Sequence, residues 1–192
     1  MLVSCRLYAL LLLPWLAACS GTESNKDPVF AAKFQNEKRI GEAAVTKRQI
    51  RDAEFVVETV SRKMELLEIS QIAQRKAASA DARYTAQNVI AQTTTLLAEL
   101  KTLAQQKAVT LPTGLGETQA RQVGEVTALN GAAFDQKYAE LTANVLDTDE
   151  DATDDMTEDA YDADIRTLAT RQLTTLKSLN QATDALHDKL NP

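Results

Sequence analysis

The sequence predicts an all-α fold, an antiparallel four-helix bundle with a short extra helix in the central connection. Three observations lead there. After residue 27 proline is nearly absent, leaving only Pro28, Pro112 and Pro192. Long stretches free of proline and almost free of glycine are rich in Ala, Leu, Gln and Glu, the composition of stable helices. Apolar residues recur at steps of three and four, giving each stretch one apolar face. No segment combines sustained alternation with β-branched enrichment, so no sheet is expected. Four long amphipathic segments of similar length then pack as a bundle. No internal repeat is evident.

The elements follow in order. Residues 20–28, SGTESNKDP, are polar and read as a tether. Residues 29–50 can hold a short helix that Gly41 weakens. The first strong helix is expected from about Asp52 to Ala78, with Phe55, Val56, Val60, Met64, Leu67, Ile69 and Ile72 facing inward. The second is expected to open at Asp81, a good N-cap, and to reach about Lys107. Its stripe is Tyr84, Val89, Leu96, Leu97, Leu100 and Leu103. VTLPTGLG breaks the chain, and a short helix spans about Glu117 to Leu129, ended by Asn130-Gly131. The next helix carries Phe134, Tyr138, Leu141 and Val145, and on the same face Thr148, Ala152 and Met156. The last has the clearest period: Ile165, Leu168, Leu173, Leu176, Leu179, Leu186 and Leu190.

The N-terminus gives an address. From Leu7 to Ala18 the apolar run is 12 residues long and holds Pro14. A membrane-spanning helix needs about 20, so the run reads as the core of a secretory signal, residues 1–18, with Arg6 in the charged region before it. Leu16-Ala17-Ala18-Cys19 looks like a lipobox, the cleavage signal of bacterial lipoproteins. The resemblance implies a diacylglyceryl group on the Cys19 sulfur, cleavage before that residue, and an acylated N-terminus. Two or more acyl chains anchor a protein stably where one does not. Ser20 follows Cys19 where an aspartate would retain such a protein at the inner membrane, which implies the outer membrane. The body would lie in the periplasm, with surface exposure the alternative. Residues 19–51 are then the lipidated cysteine and tether, and residues 52–190 the helical domain.

Charge is uneven. Residues 20–51 hold seven Lys/Arg and four Asp/Glu, net +3, whereas residues 52–192 hold thirteen and twenty-three, net −10. An acidic body repels phosphates, so nucleic acid is not an expected partner. The basic segment beside the anchor either touches anionic headgroups or is a solvated linker. The partners implied are the membrane through Cys19 and an envelope component the sequence does not name.

The order of elements resembles an envelope family, domain of unknown function 4142, whose fold is a ferritin-like helical bundle. The likeness is carried by DAEFVVETVSRKMELLEISQIAQRKA from Asp52, AELKTLAQQKAVTLP from Ala98 and GAAFDQKYAEL from Gly131. Phe134-Asp135-x-x-Tyr138 is its most recognisable element. The departures are specific. The family's Asp-His pair on the second helix aligns with Gln92 and Thr93. Its other histidines align near Leu146 and Leu179, and its Leu-Pro near the latter is Leu173-Thr174. Its glycine pair on the first helix is Arg62-Lys63. No role tied to those histidines carries over, so the resemblance implies a fold and a compartment but no reaction.

The residues support that silence. A di-iron bundle uses inward glutamates and two Glu-x-x-His motifs, and this chain has one histidine, His187, and no such motif. With Cys5 removed and Cys19 acylated no thiol remains for catalysis or metal. No nucleophile elbow, phosphate loop or dinucleotide fingerprint occurs. His187, near Asp184 and Asp188, reads as a surface residue. No cofactor, no transition metal and no enzyme activity are expected. The alternative to a binding or structural protein is a calcium-responsive module. Asp147, Asp149, Asp151, Asp155 and Glu158 fit the spacing of an EF-hand loop, although Ala152 replaces its glycine. Ten of the eighteen residues from Asp147 to Asp164 are acidic. Like charges at helical spacing and acids at a helix C-terminus both destabilise. Fraying is therefore expected between about Asp147 and Asp162.

Overall fold

Helical propensity is realised along the chain. The computed structural model describes residues 27–42 and 47–191, and all regular structure among them is helical. There are six helices: α1 (Pro28–Glu42), α2 (Lys47–Lys76), α3 (Ala80–Gln106), α4 (Glu117–Thr127), α5 (Gly131–Asp159) and α6 (Ala163–Leu190). They form a helical bundle in which α2 packs against α1, α3, α4 and α5, and α6 packs against α3 and α5. The α2–α3 and α5–α6 pairs are hairpins with tight turns. No described helix is long and apolar enough to cross a membrane.

The core runs the length of the bundle. Leu66, Ile69, Val89, Phe134, Tyr138, Leu146, Leu176 and Leu179 form one cluster, and Val56, Val60, Leu100, Met156, Ile165 and Leu168 another. Phe134 and Tyr138 stack one helical turn apart, with ring centres 6.3 Å apart. The expected inner faces of α2, α3 and α6 are largely observed, but Tyr84 is 74 % exposed. It stands only four residues into α3, whose cap is Ser79 rather than Asp81. The Ser79 hydroxyl accepts from the Asp81 and Ala82 N–H groups, and the buried face of this first part of α3 runs through Ala82, Thr85, Ala86 and Val89, which leaves position 84 in solvent.

The N-terminal part differs from a tether. α1 lies along α2 and buries Ala32, Asn36 and Ile40. The Asn36 side chain bonds both backbone groups of Thr110, at 2.8 and 2.7 Å. Asp27 caps two helices at once, accepting from the Val29 and Phe30 N–H groups of α1 and, through its other oxygen, from the Glu117 N–H of α4. Gly116 suits this close approach, since a Cβ would come within 3.1 Å of that oxygen and 3.2 Å of Val29, so those side chains would have to shift. The helical body thus starts at Asp27, and α2 starts at Lys47 instead of Asp52.

A repeat becomes visible in the turns. Asp52 in α2 accepts the Tyr161 and Asp162 N–H groups in the α5–α6 turn, at 3.0 and 2.7 Å. Asp135 in α5 accepts the Ala78 and Ser79 N–H groups in the α2–α3 turn, at 3.0 and 2.6 Å. Arg83 donates back to the carbonyls of Ala77 and Ala78, and Arg166 to those of Ala160 and Tyr161. Ser79 caps α3 and Asp162 caps α6 in the same way. Asp52 and Asp135, Ala77 and Ala160, Ser79 and Asp162, and Arg83 and Arg166 all stand 83 residues apart. The same register aligns buried Phe55 with Tyr138, Thr59 with Thr142, Ala86 with Ala169, and Leu96 with Leu179. The two hairpins are one unit used twice, reciprocally braced.

Candidate functional site

Charge in the bundle interior concentrates on the middle of α2. Adjacent residues on a helix diverge by about 100°, yet Arg62 and Lys63 both reach the same acid on α5, because α2 and α5 pack face to face. Asp149 receives the Lys63 ammonium on one oxygen. The Arg62 Nε donates to the other at 2.9 Å. Lys63 and Asp149 are wholly buried, and Arg62 is nearly so. Arg62 also donates to the Thr59 hydroxyl at 3.0 Å and approaches Glu58. Burial pulls the Lys63 pKa down, and the Asp149 charge opposes that shift. In the repeat, Lys63 matches Leu146 and Asp149 matches Leu66, both wholly buried. The pair therefore occupies two positions that the opposite hairpin fills with leucine.

A second buried acid lies half a turn further along α2. Glu65 is 2 % exposed, and its Oε1 has no hydrogen-bond partner. Desolvation pushes its pKa from 4.5 up to about 7, against the Arg62 charge and the Gln119 side chain of α4. Gln119 is itself fixed by the Ser61 hydroxyl and the Gly116 N–H. The folded form holds its proton more tightly than the unfolded chain, so Glu65 costs stability as pH rises from about 4.5 to about 7 and the full cost persists above. Glu65→Gln should stabilise the protein by about 1–3 kcal/mol at pH 8, with the gain vanishing below about pH 4.5. Urea denaturation across that pH range checks both the sign and the window.

The other buried polar groups are distributed along the core. The Tyr138 hydroxyl shares a hydrogen bond with Ser70 at 3.1 Å, and burial raises its pKa to about 12. Gln172 ties α6 to the Leu96 carbonyl and to Glu99 of α3. Thr93, in a position where the family resemblance gives histidine, is buried with its hydroxyl unpartnered. Leu146 and Leu179, near the other two such positions, are core residues, and Gln92 is exposed. A cavity of about 160 Å³ opens where Ile40, Asp52, Lys107, Tyr161 and Asp162 meet. Its acids are engaged structurally: Asp52 braces the turn, and Asp162 caps α6 and binds Lys107 at 2.7 Å.

The acidic stretch is helical. α5 continues unbroken to Asp159, so Asp147, Asp149, Asp151, Asp155 and Glu158 lie around a helix and do not converge as a loop would. Asp149 points into the core and is taken by Lys63, while Asp147, Asp151, Asp155 and Glu158 are exposed. The inner face runs through Asp149, Thr153, Met156 and Ala160, one position off the expected Thr148 and Ala152. Arg51 pairs with Asp159 at 3.0 Å. The segment where acid repulsion predicts fraying is thus helical, with Asp149 and Asp159 each paired to a base of α2. Among the described residues no group of His, Cys, Asp and Glu side chains is placed to hold a metal ion. His187 is partly exposed, with Nδ1 3.8 Å from Asp188. Cys19 and the signal segment lie outside the described residues.

The fold and this interior define a helical-bundle protein cross-linked at its centre by a buried ion pair. The chain belongs to the family described as Domain of unknown function (DUF4142), whose model matches residues 37–186. No curated protein and no solved structure matches it significantly.

Proposed function

We propose that this chain is an outer-membrane lipoprotein, anchored through Cys19, whose body acts in the periplasm by binding or mechanical support and not by catalysis. The anchor is carried by the apolar run ending in Leu16-Ala17-Ala18-Cys19, and the interior Lys63–Asp149–Arg62 cluster, whose charges pair with one another, supports the non-catalytic part. Apart from Glu65, this pairing occupies the charge in the middle of the bundle, which favours the outside of the molecule as its working surface. The reciprocally braced hairpins, with α4 in the connection between them, support the finer reading of an antiparallel four-helix bundle of ferritin-like type.

The anchor is tested directly. Cys19→Ser should abolish acyl labelling and either release the protein from the outer-membrane fraction or leave the precursor uncut. Normal acylation and cleavage of that variant would overturn the lipoprotein reading. Crosslinking in intact cells tests the binding role. A stoichiometric envelope partner is expected, and turnover of a substrate by the purified protein would sink the non-catalytic reading.

A further inference from the structure

The outer face of α1 carries an apolar feature that its neighbours leave uncovered. Phe30 and Phe34 are 61 % and 58 % exposed and stack one turn apart, ring centres 6.4 Å apart. The other large exposed hydrophobic residues among those described are Tyr84 and Tyr161. Both carry a hydroxyl, and Arg48 lies over the Tyr161 ring. The phenylalanines are not exposed through loose placement. Ala32, Asn36 and Ile40 pin the opposite face of α1 to the body, Lys33 pairs with Glu58, and Asp27 caps the helix start. Adjacent exposed aromatic residues without a polar atom are unfavourable in water and signal an interaction surface.

We propose that this face docks on the phospholipid bilayer, with Phe30 and Phe34 seated at the boundary between headgroups and acyl chains. The proposal rests on the Cys19 anchor. Asp27 is eight residues beyond Cys19, and a chain spans at most about 3.6 Å per residue, so α1 starts within about 29 Å of the lipid. Charge selects the same side. α1 carries Lys33, Lys38 and Arg39 against Glu37 and Glu42, net +1, while residues 52–192 carry −10, so an anionic leaflet repels the remainder and not the α1 side. Amphipathic helices bury their apolar residues at this depth. The bundle would then lie on its flank, with α1 against the membrane.

The mature chain offers a clean reporter, because Trp15 is the only tryptophan and lies in the signal segment. The lipidated Phe30→Trp and Phe34→Trp proteins are each reconstituted on vesicles of phosphatidylethanolamine and phosphatidylglycerol. Parallel vesicles carry bromine on the upper acyl chain as a quencher. Both variants should float with the vesicles, emit further to the blue, and lose about half their emission on brominated lipid, as interfacial burial requires. Lipidated Tyr84→Trp should float equally and stay unquenched. Flotation without quenching at positions 30 and 34 overturns the docking proposal while leaving the anchor intact. Failure to float overturns the anchor and the docking with it. A blue shift that grows with protein density but is insensitive to bromine also overturns the proposal, since a second copy then covers the pair.

Discussion

Asp149→Ala should destabilise the protein by about 3–5 kcal/mol, the cost of leaving a buried charge without its partner. Lys63 is wholly buried, so its ammonium is cut off from bulk solvent once the carboxylate is removed. Arg62, closer to the surface, loses its Asp149 bond but keeps Thr59. The repeat supplies the rescue. Because Lys63 and Asp149 align with Leu146 and Leu66, the double variant Lys63→Leu/Asp149→Leu fills both positions as the opposite hairpin does. Apolar replacement of both members of a buried pair is often neutral or stabilising, so the double should recover most of the loss. Urea midpoints at unchanged slope provide the measurement. A double variant as unstable as the sum of the singles would show that the pair is not coupled in this way.

Asp52→Ala and Asp135→Ala should each cost about 2–4 kcal/mol, because each carboxylate accepts two backbone N–H groups and hydrogen bonds to charged groups are worth about 1.5–3 kcal/mol. Each substitution also orphans the N–H groups of a turn belonging to the other hairpin. The two braces are separated by roughly 26 helical residues of α2, about 39 Å, too far to interact directly. Their losses should therefore add if each brace acts locally. Thermal melts of both singles and the double test this. A loss below about 0.5 kcal/mol in either single, typical of a plain surface substitution, would remove that aspartate from the role assigned to it.

The helices were legible because they rest on periodicity and on the scarcity of proline and glycine. The starts of α1, α3 and α4 were legible to within a residue, while α2 opens five residues ahead of the expected Asp52, and the contacts that fix these ends were not legible. Asp27 caps α1 and α4 together, and nothing local marks it as a double cap. The inner face of α5 was legible at Phe134, Tyr138, Leu141, Val145 and Met156, but between the last two it runs through Asp149 and Thr153 instead of Thr148 and Ala152, because an aspartate in an acidic run looks solvated. Only the approach of α2 shows that Asp149 has a lysine waiting in the core. Arg62-Lys63 stood out as a departure from the family's glycines, but its partner is invisible without tertiary contact. The repeat had a sequence signal, AASADAR from Ala77 against AYDADIR from Ala160, with a capping Ser79 or Asp162 and an aspartate in the first turn of each helix. It is short, and the intervening helices have diverged so far that periodicity alone relates them. Cys19 depends wholly on the peptide before it, whose structure lies outside the described residues.

The reciprocal bracing has a consequence for how the chain matures. The turn of the first hairpin is closed by an acid from the second, and the turn of the second by an acid from the first. Neither half can complete its own bend in isolation. The N-terminal half, synthesised first, therefore lacks the Asp135 carboxylate to which its turn donates, and it acquires that group only when α5 arrives. Such an interlock makes acquisition of structure concerted: a chain cut in the α3–α4 connection yields fragments that gain order by complementing each other, and a chain truncated after α3 presents an open end to proteases.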